Sequence, residues 1–191
     1  NVRAVKELAS AANQMGCQQK LSETYGAGGW DLRFEDMKRI GDWEYVLGVN
    51  LMNQHLSYVT ICGARKRDHP QSFSYHEPWW QYYGTVNRYF NRLSLALASG
   101  EQINRILVLE PTGTAWMYYS PSVKNAKVGE IGDSFQSFVQ RLERLQVEYD
   151  IGCENIMKDH GSAANGRLTV GKRSYDLVVL PPGVENIDTP T

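Results

Sequence analysis

Residues 20–30 read KLSETYGAGGW, and this stretch indicates the fold class of the first half of the chain. A short segment ending in the polar Glu23 runs into a turn with three glycines, which permits sharp bends and close backbone approach to a ligand. Helical spacing of apolar residues precedes it at 2–15 and follows it at 31–47, before the strand-like VNLMNQHL at 49–56. Helices alternating with short strands through glycine-bearing loops are typical of an α/β fold with parallel strands.

The rest of the chain continues this alternation after one long loop. Residues 57–77 lose periodicity, and a loop of this length inside a domain is usually functional or disordered. A long helix is predicted at 79–99. RILVLEP at 105–111 is typical of a strand buried on both faces, and NGRLTVGKRSYDLVVLPP at 165–182 predicts a short strand pair and a final buried strand. The second half therefore reads as the first half of an open doubly wound sheet.

The composition excludes several classes of protein. The 191 residues include 20 basic and 21 acidic side chains, so the net charge of −1 gives no electrostatic drive toward nucleic acid or an anionic membrane. No apolar run approaches the roughly 18 residues of a membrane span. Three widely spaced cysteines suit neither a disulfide scaffold nor a zinc ribbon. TGTAW at 112–116 has no phosphate-loop form, and LEPTG at 109–113 lacks the dinucleotide fingerprint, so no cofactor is evident.

The two ends predict a piece of a longer polypeptide. The chain opens on NVRAVKELAS without a basic or apolar leader, so no signal peptide is recognisable in it. It stops shortly after the apolar run LVVLPP, whereas a parallel sheet rarely ends on a strand that nothing covers. The expected domain boundary lies in GEQIN, at Gly100 to Asn104.

Two polar residues stand at the ends of the first two predicted strands. Glu23 could act as general base or nucleophile on a sugar or ester, because α/β barrels place active sites at this edge. The alternative is a helix cap or an ion-pair partner. His55 could hydrogen-bond a substrate hydroxyl or bind a metal, and a satisfied core histidine is the equal alternative.

Aromatic and charged loop residues supply further candidates. Trp30, beside Glu23 on the glycine-rich loop, is suited to stack against a sugar ring. Asp68 lies in the cluster ARKRDH, where it could reach a pocket, although a solvated loop or an internal ion pair is the more ordinary interpretation. The aromatic residues between Phe73 and Phe90 could also stack on sugars, but their helical spacing favours core packing.

These residues carry a resemblance to a known family. The stretch from LSETYGAGGW to YHEPWW resembles the last part of the catalytic barrel of large bacterial glycoside hydrolases, closest to the α-L-rhamnosidase type of glycoside hydrolase family 106. Its most specific pieces are SETYG at 22–26 and GVN at 48–50 with His55 behind it. NRLSLALASGEQINRILVLEPTGTAW resembles the passage into a flavodoxin-like, class I glutamine amidotransferase-like domain. Family 42 β-galactosidases share this layout.

The resemblance implies an architecture. Residues 1–102 would be the C-terminal part of a (β/α)8-type barrel, with 20–23 and 49–55 as its seventh and eighth strands. Residues 103–191 would be the first half of the flavodoxin-like, amidotransferase-like domain, which lacks a cysteine nucleophile and would serve structure or oligomerisation. The oligomeric state itself is left open.

The resemblance also implies a function. Glu23 would be a catalytic carboxylate, and His55, Trp30 and Asp68 would shape the sugar pocket. The second carboxylate that glycoside hydrolysis needs would lie on an earlier strand outside the chain, so the 191 residues alone should be inactive. A carbohydrate substrate, a calcium ion, and a periplasmic or extracellular location are implied by the family only. A non-catalytic carbohydrate-binding or scaffold module is the rival hypothesis.

Overall fold

The computed structural model describes residues 1–189 and 191, and it divides them into two compact units. The first unit comprises residues 18–101. The second unit comprises residues 102–191 together with residues 1–17, which include helix α1 (Val2–Met15). The expected division at 102/103 placed α1 with the barrel-like half, but α1 packs within the second unit against one of its strands.

The first unit contains two strands and two main helices. They follow in the order β1 (Leu21–Thr24), α2 (Phe34–Val46), β2 (Leu51–Gln54) and α3 (Gly84–Ala98). Short 3₁₀ turns lie at Gly63–Arg67 and Trp80–Tyr82. The strands pair in parallel, with Leu21 opposite Leu51 and Thr24 opposite Gln54. The predicted α/β alternation is confirmed, and within the described residues these two strands do not close a barrel.

Close packing of α2 on α3 and an aromatic cluster form the core of the first unit. A Cβ atom at Gly41 would overlap the Phe90 ring, so glycine at this position permits the two helices to approach this closely. The Tyr45 ring packs on Phe90 at 5.4 Å. A second group of rings is built around Phe73, which contacts Tyr25, Trp79 and Tyr83 at 5.4–5.8 Å. The favoured core interpretation of the aromatic stretch is therefore confirmed for Trp79 and Tyr83. It is wrong for Tyr75, Trp80 and Tyr82, whose side chains are exposed.

The second unit is built on a three-stranded parallel sheet. Its remaining elements are β3 (Ile106–Leu109), α4 (Thr112–Tyr118), α5 (Ala126–Arg144), β4 (Asp150–Gly152), α6 (Glu154–His160), β5 (Gly161–Ala164), β6 (Arg167–Val170), β7 (Arg173–Tyr175) and β8 (Leu177–Val179). The strand order is β4-β3-β8, and β5, β6 and β7 form a separate antiparallel sheet. No described helix is long and apolar enough to cross a membrane.

The central strand β3 is covered on both faces, as its continuous apolar sequence predicts. Val108 packs into a cluster with Phe135 and Val139 of α5. Leu107 and Leu109 point the other way, into a cluster that includes Met157 of α6. Alternate side chains of one strand thus supply two cores.

The exposed side of β4 is completed by polar side chains of α1. Ile151 donates its backbone N–H to Ser10 Oγ at 2.8 Å, and its carbonyl accepts from Gln14 Nε2 at 3.1 Å. Asn13 of the same helix donates to the buried carboxylate of Asp150, which also accepts from Tyr175. The buried face of α1 is therefore hydrophilic, because its task is to satisfy the backbone of a strand edge.

Candidate functional site

Strand alternation places Glu23 on the face of the β1–β2 sheet opposite α2. Ser22 and Thr24 point toward α2, where their hydroxyls donate to the two carboxylate oxygens of Glu44 at 3.1 and 2.7 Å. Successive side chains of a strand project to opposite faces, so Glu23 points away from this helix. Asn53 lies directly opposite it on β2. One face of the sheet is thus tied to α2 while the other presents polar side chains.

Glu23 and His55 meet on that face. The Glu23 Oε1 atom lies 2.8 Å from His55 Nδ1. His55 follows the end of β2, and its backbone N–H donates to the Thr24 carbonyl at 2.9 Å, which fixes the base of the side chain. The Glu23 side chain is 57% exposed, whereas that of His55 is 18% exposed and its Nε2 atom is buried without a partner in the described structure. The accessible carboxylate is therefore oriented by a histidine held more firmly.

The chain turns sharply immediately after Glu23. Tyr25 has φ 72°, in the left-handed region that non-glycine residues seldom occupy. Its buried hydroxyl donates to the Met37 carbonyl at 2.7 Å and its ring packs on Phe73, so the surrounding core holds this backbone conformation. Strained backbone held by packing is common at functional sites.

Trp30 connects the glycine-rich loop to the loop of residues 66–70. Its indole N–H donates to the Lys66 carbonyl at 2.8 Å, and Gly29 N–H donates to the Pro70 carbonyl at 3.0 Å. Trp30 is half-buried. The indole N–H of Trp30 therefore connects two loops, and the accessible part of the ring can still stack against a ligand.

Asp68 is ion-paired within its own loop. Its carboxylate accepts from Arg65 at 2.8 Å, and both side chains are about half exposed. Tyr58 donates its hydroxyl toward the backbone carbonyls of Asp68 and His69, which fixes this part of the loop. The ring of the next residue, His69, lies 5.4 Å from the His55 ring. In the described structure the loop reaches the Glu23–His55 pair through His69, and no contact joins Asp68 to Glu23.

Two buried polar residues of the first unit are not among the site residues predicted from the sequence. Gln71 is fully buried, and neither polar atom of its side chain has a partner among the described residues. Glu77 is also buried, and burial raises the pKa of this carboxyl to about 7. The sequence signal for Glu77 is a lone acid within the aromatic run FSYHEPWW. Its burial keeps it from touching a substrate in this conformation, although its raised pKa suits a proton donor.

A second perturbed carboxyl lies at the end of β3 in the second unit. Burial and the neighbouring Glu7 of α1 raise the pKa of Glu110 to about 7. Glu7 is itself held by Arg3 at 2.9 Å. Glu110 follows the carboxyl end of the central strand, which is where open α/β sheets bind ligands. Glu7 belongs to α1 and Glu110 follows β3, so we expect their interaction to affect the stability of the second unit.

The described residues show no acidic cluster for the calcium ion that the resemblance implies. No three of their histidine, cysteine, aspartate and glutamate side chains converge to hold a metal ion. Calcium in proteins takes about six to eight oxygen ligands. The calcium ion stays a prediction, and none of the chemistry below depends on it.

The first-unit site can accept a proton or attack an electrophilic carbon. An accessible carboxylate oriented by a hydrogen bond can serve as general base or nucleophile. The half-buried indole of Trp30 offers an apolar surface of the kind that sugar rings contact. No second accessible carboxylate contacts Glu23 within the described residues.

Comparison with known proteins gives a similarity among solved structures. No protein-family model matches the sequence, and no curated protein matches it. Among solved structures, the chain is similar to a rhamnosidase from Novosphingobium sp. PP1Y, with a TM-score of 0.67 and 18% sequence identity. The match covers 97% of this chain and 17% of the rhamnosidase chain. Both units of the present chain therefore share the fold of one region of a much longer rhamnosidase.

Proposed function

We propose that this chain is part of a glycoside hydrolase that cleaves glycosidic bonds in polysaccharide side chains, with α-L-rhamnosidase-like specificity. The observation that carries the proposal is the accessible Glu23 carboxylate at the end of a parallel strand, held by His55 Nδ1 at 2.8 Å. The structural similarity to a region of a rhamnosidase supports it. Under this proposal the (β/α)8-type barrel and the flavodoxin-like domain are the architectures to which the two units belong.

In the proposed reaction Glu23 is the catalytic carboxylate. Glycoside hydrolysis normally needs one carboxyl group to protonate the leaving oxygen and a second to act as base or nucleophile. His55 orients Glu23, and Trp30 and the Asp68 loop line the sugar pocket. The two parallel strands cannot enclose a substrate, so the partner carboxyl group comes from elsewhere in the longer polypeptide, and the 191 residues alone are inactive. Export to the periplasm or beyond belongs to the same proposal.

Hydrolysis of aryl glycosides by the polypeptide that contains this chain tests the proposal. The panel includes the α-L-rhamnoside and the β-galactoside, because a family 42-like β-galactosidase is the alternative specificity. We expect one glycoside to be cleaved and the Glu23→Gln variant to lose about 100-fold or more in turnover, since it can neither accept a proton nor attack. Glu110→Gln, which alters a carboxyl of the second unit, is the control that should retain turnover. Equal turnover by Glu23→Gln and the unaltered polypeptide would exclude this role.

The rival proposal is a non-catalytic carbohydrate-binding or scaffold module. The exposed rings of Tyr75, Trp80 and Tyr82 favour it, since exposed aromatic rings can stack on sugars. It predicts sugar binding without turnover, weakened by Trp80→Ala and unaffected by Glu23→Gln. Calorimetric titration with oligosaccharides separates the two proposals.

A further inference from the structure

Two asparagines in and beside strand β2 have different environments. Both polar atoms of the Asn50 side chain are bonded, since Oδ1 accepts from the Lys20 N–H at 2.8 Å and Nδ2 donates to the Gln18 carbonyl at 2.7 Å. Asn53 is exposed, and no hydrogen bond among the described residues involves its amide. Asparagine is depleted in strands. Asn50 therefore has a structural role, whereas the contacts of the described residues give no structural reason for an amide at Asn53.

The Asn53 side chain projects to the same face of the sheet as Glu23. Its neighbour Met52 faces α2, because a Cβ atom at Gly41 of that helix would meet the Met52 methyl group. Successive side chains of a strand alternate, so Asn53 points away from α2. The parallel register places it directly opposite Glu23, on a strand about 4.8 Å away. Both side chains are exposed, so a ligand that contacts the Glu23 carboxylate is also within reach of the Asn53 amide.

The carboxylate and the amide suit different parts of one sugar. An amide offers an acceptor oxygen and two N–H donors, and a hydroxyl group can both donate and accept. The amide is uncharged, so its hydrogen bonds do not depend on a protonation state. In the proposed reaction Glu23 lies beside the reacting carbon, C1 of the sugar. The hydroxyl group at C2 is the one nearest to that carbon, and an amide on the adjacent strand is well placed to bind it.

We propose that Asn53 is a substrate-binding residue whose amide hydrogen-bonds the hydroxyl group at C2 of the sugar on which Glu23 acts. This inference rests on the proposed hydrolase and names one hydroxyl group that the site recognises. Hydrogen bonds to this hydroxyl strengthen in the transition state, in which positive charge develops at the adjacent carbon. An interaction that is stronger in the transition state than in the bound substrate raises kcat, so the contact contributes to turnover as well as to binding.

Hydrolysis of a matched pair of substrates by the polypeptide that contains this chain tests the contact. The pair is the aryl α-L-rhamnoside or β-galactoside, whichever is cleaved, and its 2-deoxy analogue. Asn53→Ala should lower kcat/KM about tenfold for the first substrate, as for one lost hydrogen bond, and less than about twofold for the second. Gln54→Ala removes an amide from the opposite face of the same strand and should change neither value. An equal loss for both substrates, or no loss, would overturn the inference and leave the hydrolase proposal standing.

Binding of free monosaccharides separates this inference from the hydrolase proposal. L-rhamnose, D-galactose and their 2-deoxy forms are titrated by calorimetry into the unaltered polypeptide and into Asn53→Ala. We expect the variant to bind the recognised sugar about fivefold to tenfold more weakly and its 2-deoxy form equally well. This pattern without hydrolysis of any aryl glycoside would support the contact at C2 and reject the hydrolase. Weaker binding of both forms, or no binding of any of these sugars, would overturn the inference.

Urea unfolding controls for damage to the fold. Because Asn53 is exposed and its amide makes no hydrogen bond among the described residues, Asn53→Ala should unfold at the same urea concentration as the unaltered polypeptide. A variant that loses stability together with activity on both substrates would show that Asn53 supports the fold, and it would overturn the assignment of a substrate contact.

Discussion

The two parallel sheets of this molecule are made from strands of similar length but opposite character. In the second unit Leu107, at the centre of β3, is 0% exposed, and helices or strands cover both faces. In the first unit Leu21 of β1 is 49% exposed, and the open face also presents Glu23. The side chains of the central strand in the second unit pack into two cores. In the first unit one face of the sheet packs against α2, and the other face is accessible to a ligand.

This difference separates the residues that stabilise the fold from those available to a ligand. A strand covered on both sides can carry only apolar or fully bonded side chains, because a buried polar group without a partner is costly. A strand with one open face can present a carboxylate and a histidine to a substrate. We therefore expect mutations in β3 to affect stability most strongly, and mutations on the open face of β1 to affect function.

The largest expected effect comes from a matched pair of leucines. Leu107→Ala should lower the free energy of unfolding of the second unit by about 3 to 5 kcal/mol, because it removes buried atoms and leaves a cavity. Leu21→Ala should cost the first unit less than about 1 kcal/mol, since half of that side chain already contacts solvent. Amide hydrogen exchange, followed separately in β3 and β1, measures both. Similar losses at the two positions would remove the contrast between the sheets.

A smaller effect comes from the two glutamates with raised pKa values, Glu77 in the first unit and Glu110 in the second. Each folded pKa is about 7, compared with an ordinary 4.5, so the folded state holds a proton that the unfolded chain has released. The contribution to stability is complete below pH 4.5 and is lost as the pH rises through 7. It amounts to about 2 to 3 kcal/mol for Glu77 in the first unit, and it has the same sign for Glu110 in the second. Urea unfolding between pH 4.5 and 8 measures this loss.

The pKa values of Glu77 and Glu110 are raised by different causes, and this difference provides a control variant. Burial alone raises the pKa of Glu77, whereas burial and the neighbouring Glu7 both raise the pKa of Glu110. Glu7→Gln should therefore weaken the pH dependence of the second unit, where the burial of Glu110 persists, and leave that of the first unit unchanged. A Glu7→Gln protein with the original pH dependence in both units would show that Glu7 does not contribute.

The smallest expected effect on stability is at Asp68. Its ion pair with Arg65 is exposed, and exposed pairs contribute about 0 to 1 kcal/mol. Asp68→Asn should therefore change the free energy of unfolding by less than about 0.5 kcal/mol, measured by urea unfolding. A larger loss would mean that this loop belongs to the stabilising part of the first unit.

Much of the local structure could be predicted from sequence, because it depends on local patterns. The continuous apolar run at 105–111 predicts a doubly covered strand, and β3 has that environment. The strand predicted at 20–23 lies at Leu21–Thr24, and the helix predicted at 79–99 begins later, at Gly84, after a 3₁₀ turn. The roles given to Glu23, His55, Trp30 and Asp68 remain predictions.

The features that were not predictable depend on contacts between distant parts of the chain. The contact between Glu23 and His55 joins residues 32 positions apart, and it depends on the parallel register of β1 and β2. The placement of α1 depends on the backbone of β4, which the apolar periodicity of residues 2–15 does not reveal. The burial of Gln71 and Glu77 likewise results from the packing of a loop without periodicity.

The attachment of α1 to β4 has a consequence for how the protein is made. Ser10 and its partner Ile151 are 141 residues apart. At a synthesis rate of about 5 to 20 residues per second, α1 leaves the ribosome roughly 7 to 28 seconds before its strand exists. The face of α1 that later contacts β4 carries serine, asparagine and glutamine, which water solvates well. A nascent helix with this composition can remain unpartnered during translation without becoming a target for aggregation.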